Sequence, residues 1–289
     1  MAKKTITFRA SGNGALMVNE KSCTITEKQM ITYKNYEAQI IEGINLPKGK
    51  RDVYMELKKK IKAPFQLSTT SKSFIKNIWL ANEKGYYKPI KSKFLDKGLY
   101  TEEGAITLIS KVDGRYYKKN EERITKGNVS GECDINCTIE GRKVIQDTKS
   151  CWDAITFMGA EMDLYNEWQG RNYMDLYDAD EFWLRHCLVD CPEHLVKKEK
   201  EKKEKEKIFY EHYSNDMTNV EANELEIMLK PLLDQVERNL VYSNSKLYTP
   251  EERVKTTIIK RDDVKYQELL DRIPHALEFY KKITLNGNF

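Results

Sequence analysis

The stretch SGECDINCTIEGRKVIQDTKS, residues 130–150, constrains the chain more than any other. Glu140-Gly141 is a two-residue turn signal between two runs of strand character, about Val129–Ile139 and Arg142–Lys149, and it folds them into an antiparallel hairpin. Positions whose numbers sum to about 281 then stand opposite each other, which places Asp134 beside Asp147. Strand residues two apart share a face, so Lys149 projects on the same side as Asp147. Two facing carboxylates repel unless something neutralises them. A divalent cation with oxygen ligands, helped by Lys149, meets that need. An exposed strand face that simply carries an Asp–Lys pair explains the hairpin by itself equally well.

The elements around the hairpin set the fold class. TEKQMITYKNYEAQII starts as a helix capped by Thr26, with Tyr and Ile spaced for a core-facing stripe. A second helix is expected over about Thr101–Val112, with Ala105, Ile106, Leu108 and Ile109 as its apolar stripe and Glu102 and Glu103 in its first turn. After the hairpin come a helical stretch interrupted near Gly159, the strand EFWLRHCLVDC stopped by Pro192, an amphipathic helix, the strand RVKTTIIK, and a closing helix interrupted or capped at Pro274. Helices alternating with strands in this order predict an α/β fold, a central mixed β-sheet flanked by helices.

A chain of 289 residues buries a sizeable core. Four divisions are expected: residues 1–94, mainly helical and part of the same domain; 95–196, the core that carries the hairpin; 197–207, a low-complexity Lys/Glu insertion; and 208–289, which completes the domain. KKEKEKKEKEK contains no apolar residue and predicts an exposed helical arm or loop.

Charge narrows the function classes only slightly. The 49 basic residues exceed the 45 acidic ones by four, a weak argument for an anionic partner. The basic run between Lys48 and Lys62 attracts phosphates if its residues share a face, and reads equally well as a solvated helix surface. Six cysteines without a CxxC pair, and a start without an apolar leader, predict reduced thiols in a cytoplasmic protein. No run approaches the roughly 20 apolar residues of a membrane span. The four histidines, His186, His194, His212 and His275, lack ligand spacing and are assigned structural roles.

Further along, Gln169 and Tyr173 of WQGRNYM lie four apart, on one helix face. With GECD as a GxxD strand, DTK as a (D/E)xK strand and QGRNY as a QxxxY helix, the chain resembles the PD-(D/E)xK nuclease superfamily. The match is to its RecB-like branch, which includes phage exonucleases of the lambda exonuclease (YqaJ-like) type. The resemblance covers roughly residues 95 to 192 and implies a restriction-endonuclease-like core. It implies that Asp134 and Asp147 bind Mg²⁺, with Mn²⁺ as a substitute, that Thr148 adds its carbonyl, and that Lys149 is the catalytic lysine. Glu102, four residues after Gly98, is the further carboxylate ligand, with Glu103 as the alternative. Gln169 holds the lysine or the substrate phosphate, and Tyr173 supports the site or meets DNA. FRASGNGALM resembles the segment with which such exonucleases approach a DNA phosphate, which makes Arg9 and Ser11 candidates for the DNA end; a helix cap at Ser11 is the other reading. The third motif carries Asp where Glu is commoner, and no His precedes the Glu helix.

The resemblance thus implies a Mg²⁺-dependent DNA exonuclease that processes double-stranded ends in phage recombination or replication, in the host cytoplasm if phage-encoded. Beside DNA it suggests two partners, a single-strand annealing protein and further copies of the chain. A catalytically silent DNA-binding or recombination-partner protein with the same fold is the alternative.

Overall fold

Glu140 and Gly141 carry φ angles of 50° and 79°, so the turn has the left-handed geometry that matches the twist of the strands it joins. Around it, the computed structural model describes residues 5–214 and 222–286. The elements follow in the order β1 (Phe8–Arg9), α1 (Glu27–Ile41), α2 (Lys48–Lys62), α3 (Thr69–Lys84), α4 (Lys93–Val112), β2 (Ile124–Lys126), β3 (Val129–Gly131), β4 (Ile135–Ile139) and β5 (Arg142–Ser150). After these come α5 (Ala154–Met158), α6 (Leu164–Tyr177), β6 (Glu181–Cys187), α7 (Glu193–Ser214), α8 (Ala222–Leu240), β7 (Val254–Lys260) and α9 (Asp263–Asn286).

The chain divides into two units. One comprises Met1–Tyr87, Gly127–Val129 and Asp262–Phe289; the other comprises Lys88–Lys126 and Ser130–Arg261 and holds the hairpin. In the first, α3 and α9 pack together, tied by hydrogen bonds from Trp79 to Thr284 and from Tyr280 to Glu83. Thr26 caps α1 as the sequence predicts, and Gln29, outside that expectation, completes a reciprocal capping box. The apolar stripe of α1 is not core, however: none of its residues is buried, and Ile41 is 79% exposed. The helix period is present, but α2 covers that stripe only in part, where Tyr33 stacks on Tyr54 with ring centroids 5.2 Å apart. α9 runs through Pro274 without interruption, so the proline costs one helical hydrogen bond and does not end the helix.

In the second unit four strands form a mixed sheet in the order β4-β5-β6-β7, antiparallel, parallel, antiparallel. Ile135 faces Gln146 and Ile139 faces Arg142, the register expected from the turn. The first run is not one strand. It breaks between β3 and β4, and Asp134 lies in the bend. There its carbonyl accepts the Asn120 N–H at 2.7 Å, which takes the residue out of the strand ladder.

Alternation along β5 builds two layers. Val144 packs with Ala105, Ile106, Leu108 and Ile109 of α4, the predicted stripe, and with Ile135 and Ile139. Side chains of this size each contribute about 1.5–3 kcal/mol when fully buried. α4 starts eight residues earlier than expected, because Ser92 caps it by accepting the Phe94 N–H; Glu102 and Glu103 therefore sit in mid-helix, and Asp96 occupies the first turn. The opposite face receives α6, whose Trp168, Tyr173, Met174 and Tyr177 are buried.

The Lys/Glu run is the exposed middle of α7, which pairs with α8 between β6 and β7. Lys200–Glu237 and Lys93–Glu199 ion pairs tie it down, while Leu195 and Val196 at its base join Trp152, Cys191, Val236 and Leu240 in a second core. All six cysteines are free thiols.

α6 can seat on β6 only because residue 170 is glycine. A Cβ there would stand 2.1 Å from the Phe182 ring, and Phe182 is fully buried. Gly→Ala normally stabilises a helix interior by up to about 1 kcal/mol. Here Gly170→Ala is expected to destabilise by about 1–3 kcal/mol in chemical denaturation, the usual cost of overpacking.

Candidate active site

Asp147 and Lys149 project from β5 toward α6, as their spacing requires. Asp147 is 3% exposed, and its Oδ2 lies 2.5 Å from Lys149 Nζ. Gln169 ties the pair to the helix: its Nε2 donates to Asp147 Oδ1 at 2.9 Å and to the Tyr173 hydroxyl at 2.9 Å, while Lys149 Nζ donates to its Oε1 at 3.3 Å. Each polar end of the amide is thus used, which fixes its orientation. Tyr173, expected as a DNA contact or a support, is 4% exposed and has its hydroxyl taken by Gln169. Burial leaves it no surface to offer DNA, and it serves as a support for Gln169.

Asp134 approaches from the bend before β4. Its Oδ2 accepts the Thr148 N–H at 2.6 Å and the Thr148 hydroxyl at 2.7 Å, so the carboxylate turns one residue past the position directly opposite Asp147. Burial, the nearby Asp147 charge and a smaller contribution from Glu102 push its pKa up to about 7, against the pull of the two Thr148 hydrogen bonds. For Lys149, burial works to lower the pKa, but the Asp147 charge and hydrogen bond, with Asp134 behind them, leave it above the ordinary lysine value. Lys149 is thereby held as a cation, the local counter-charge for two carboxylates.

Glu102 belongs to α4, on the other face of the sheet. Its side chain is 27% exposed and pairs with Lys119 at 3.1 Å. It acts on Asp134 through charge, whereas Glu103 is exposed. Among the described residues no group of three or more His, Cys, Asp or Glu side chains is close enough to hold a metal ion. The pair at the centre nonetheless fits a hard divalent cation: Asp147 Oδ2 is buried without an aligned hydrogen-bond donor, and it faces a second, mutually repelled carboxylate. Arg9 and Ser11 lie in the first unit, both exposed, at the end of β1 and in the 3₁₀ segment Ala10–Met17; the Ser11 hydroxyl caps no helix.

Four supporting residues lie outside the motifs. Lys97, fully buried, donates to the Trp152 carbonyl at 3.0 Å, and the Thr101 hydroxyl donates to Ser150 at 2.8 Å; together they clamp the Glu102 helix to the end of β5. Lys119 engages Glu102. His186, in register with Lys149 on β6, is buried and has its pKa lowered by burial and by Lys255 and Lys149, so a neutral ring stands beside the site.

A folded-state pKa of about 7 for Asp134, against the ordinary aspartate value of 3.8, means that the folded protein binds the extra proton between those values. Its contribution to stability therefore falls as pH rises through that window. Without divalent metal, the melting temperature of wild type relative to Asp134→Asn is expected to drop between about pH 4 and pH 7, and a divalent cation should raise the melting temperature of wild type and not of the variant. A wild-type-minus-variant difference that stays level with pH contradicts the shift.

No family model matches the sequence, and no curated protein matches it. Solved structures do. A phage-related exonuclease from Haemophilus somnus 129PT superposes with a TM-score of 0.63 at 19% identity, over 99% of this chain and 98% of that one. LHK-Exo in complex with dAMP gives 0.49 at 10% identity, over 96% of this chain and 90% of that one. The alkaline exonuclease LHK-Exo from Laribacter hongkongensis gives 0.47 at 11% identity, over 77% and 86%. With a mixed sheet between helices and a neighbour that covers nearly its whole length, the chain has the fold of the Haemophilus phage-related exonuclease, in agreement with the resemblance to lambda-exonuclease-like PD-(D/E)xK nucleases.

Proposed function

We propose that the chain is a divalent-metal-dependent deoxyribonuclease, an exonuclease that hydrolyses phosphodiester bonds from double-stranded DNA ends in phage recombination or replication. The observation that carries this reading is the Gln169 bridge, which holds a buried Asp147 and a charged Lys149 together next to Asp134. The printed name of the Haemophilus structure, which shares the fold, points the same way.

In this reading Asp134 and Asp147, with the Thr148 carbonyl and Glu102, hold Mg²⁺, or Mn²⁺ in its place. The ion supplies a lowered pKa for water and charge stabilisation at the phosphorus-bound oxygens. Lys149 carries its proton at Nζ and donates it as a hydrogen bond to the attacking water or to a phosphate oxygen. Gln169 keeps that ammonium over Asp147, and Tyr173 keeps Gln169 in place. Arg9 and Ser11 are the candidates for gripping the DNA end. A single-strand annealing protein and further copies of the chain are the partners this role implies, in the host cytoplasm. No helix among the described residues is long and apolar enough to cross a membrane.

The second reading, a catalytically silent DNA-binding protein, is favoured by one feature: Lys119 engages the Glu102 carboxylate that the nuclease reading needs as a ligand. The experiment that separates the two uses end-labelled linear duplex and closed circular DNA with Mg²⁺. Wild type should degrade the linear substrate, spare the circle, and stop when the metal is chelated. Asp147→Ala and Lys149→Ala, checked for folding by circular dichroism, should lose about 100-fold or more of the rate. Equal rates in wild type and both variants sink the nuclease reading, and DNA binding without cleavage supports the silent one.

A further inference from the structure

α4 presents two flanks. Glu102 lies on one. On the other, about half a turn away at 100° per residue, Tyr100, Gly104, Thr107, Leu108 and Lys111 line a cleft of about 330 Å³ with Val189, Asp190, Ser243 and Arg253. All of these residues belong to the second unit.

The chemistry of the cleft is cationic at one end and apolar at the other. Arg253 is fixed at the start of β7, where its carbonyl accepts the Leu188 N–H at 2.8 Å. Its Nε is buried and has no hydrogen-bond partner. Among the described residues no carboxylate forms an ion pair with Arg253 or Lys111. The acid on the wall, Asp190, is already taken: its Oδ1 accepts the N–H groups of Tyr242 and Ser243, at 2.6 and 2.8 Å, and its Oδ2 accepts the Ser243 hydroxyl. Lys111 also feels the charge of Glu251, whereas Arg253 has no ion-pair partner among the described residues; a guanidinium so placed at a concave wall is built to receive an anion, and phosphate is the anion whose oxygens best match its fork.

At the other end the floor is Gly104, where an added Cβ would meet nothing within 4 Å. Beside it stand Leu108 and the ring of Tyr100, which is 65% exposed and edge-on to His194 at 4.9 Å. Seven residues of helix separate Gly104 from Lys111, about 10 Å along the axis. The cavity volume falls at the lower end of small-molecule sites, about 300–1,000 Å³.

We propose that this cleft is a second binding site, separate from the carboxylate centre, that takes a small phosphate monoester of nucleoside monophosphate size. The phosphate lies between Arg253 and Lys111, and the ring system lies over Gly104 against Tyr100 and Leu108. The assignment does not depend on nuclease activity.

The test is titration calorimetry on the full chain with divalent metal chelated, so that the carboxylate centre supplies no metal-borne phosphate site. Thymidine monophosphate, thymidine, inorganic phosphate and a short duplex oligonucleotide are the probes. Thymidine monophosphate should bind saturably at one site, with thymidine weaker by about tenfold or more, since it lacks the charge-assisted contacts. Arg253→Gln with Lys111→Gln should weaken it by a similar factor, and Gly104→Phe, which fills the floor and leaves both charges in place, should abolish binding. Asp147→Ala should bind as wild type does. Absence of saturable binding at millimolar ligand overturns the proposal. So does binding that survives Gly104→Phe and the double variant when both melt as wild type does, or binding by the duplex alone.

Discussion

The period of two along β5 organises the second unit. Hydrogen-bonded on both sides, to β4 antiparallel and to β6 parallel, β5 has no freedom of register, and alternate residues are committed to opposite layers. Val144 goes to the α4 layer, and the Ser150 hydroxyl accepts from Thr101 on that side; Asp147 and Lys149 go to the α6 layer and meet Gln169. A slip of one residue would bury Lys149 under α4 and strip Gln169 of both its partners on the strand. The turn at Glu140-Gly141 and the seat of α6 at Gly170 both guard against that slip.

Placing the site in this frame has an electrostatic cost. Asp147 is buried and Asp134 half-buried, and Lys149, the Gln169 amide and the two donors of Thr148 oppose their repulsion. Burying carboxylates in such proximity is unfavourable without a partner of opposite charge, and leaving one oxygen of Asp147 without an aligned donor adds to the penalty. Structures retain such arrangements where function needs them. Around this centre the supports are packing and hydrogen bonds: Tyr173 behind Gln169, Asn120 behind the bend at Asp134, and Lys97 and Thr101 clamping α4 to the end of β5. The charge frustration is confined to a few atoms.

Much of this was legible locally. The hairpin register follows from a two-residue turn, the shared face of Asp147 and Lys149 from strand alternation, that of Gln169 and Tyr173 from helix spacing, and the start of α1 from the Thr26 cap. What was misread involved competition between local signals. TEEGA has the acids of a first helical turn, yet Ser92 caps the helix earlier, so Glu102 stands in its middle. Pro274 is a breaker in isolation, yet α9 gains enough from packing on α3 to run through it. The stripe on α1 has core spacing, yet α2 covers it only in part, and none of its residues is buried.

By itself, then, the sequence determined every relation that spans a few residues: turn, register, caps, and which side chains share a face. Those relations depend on backbone geometry alone. Only the tertiary structure decided that α4, which carries Glu102, and α6, which carries Gln169, pack on opposite faces of one sheet, that Glu102 is met by Lys119, that Lys97 is buried against Trp152, and that Arg253 has no ion-pair partner among the described residues. These depend on which layers pack together. Their energies come from partners tens of residues away, and no spacing within the chain encodes which partner arrives.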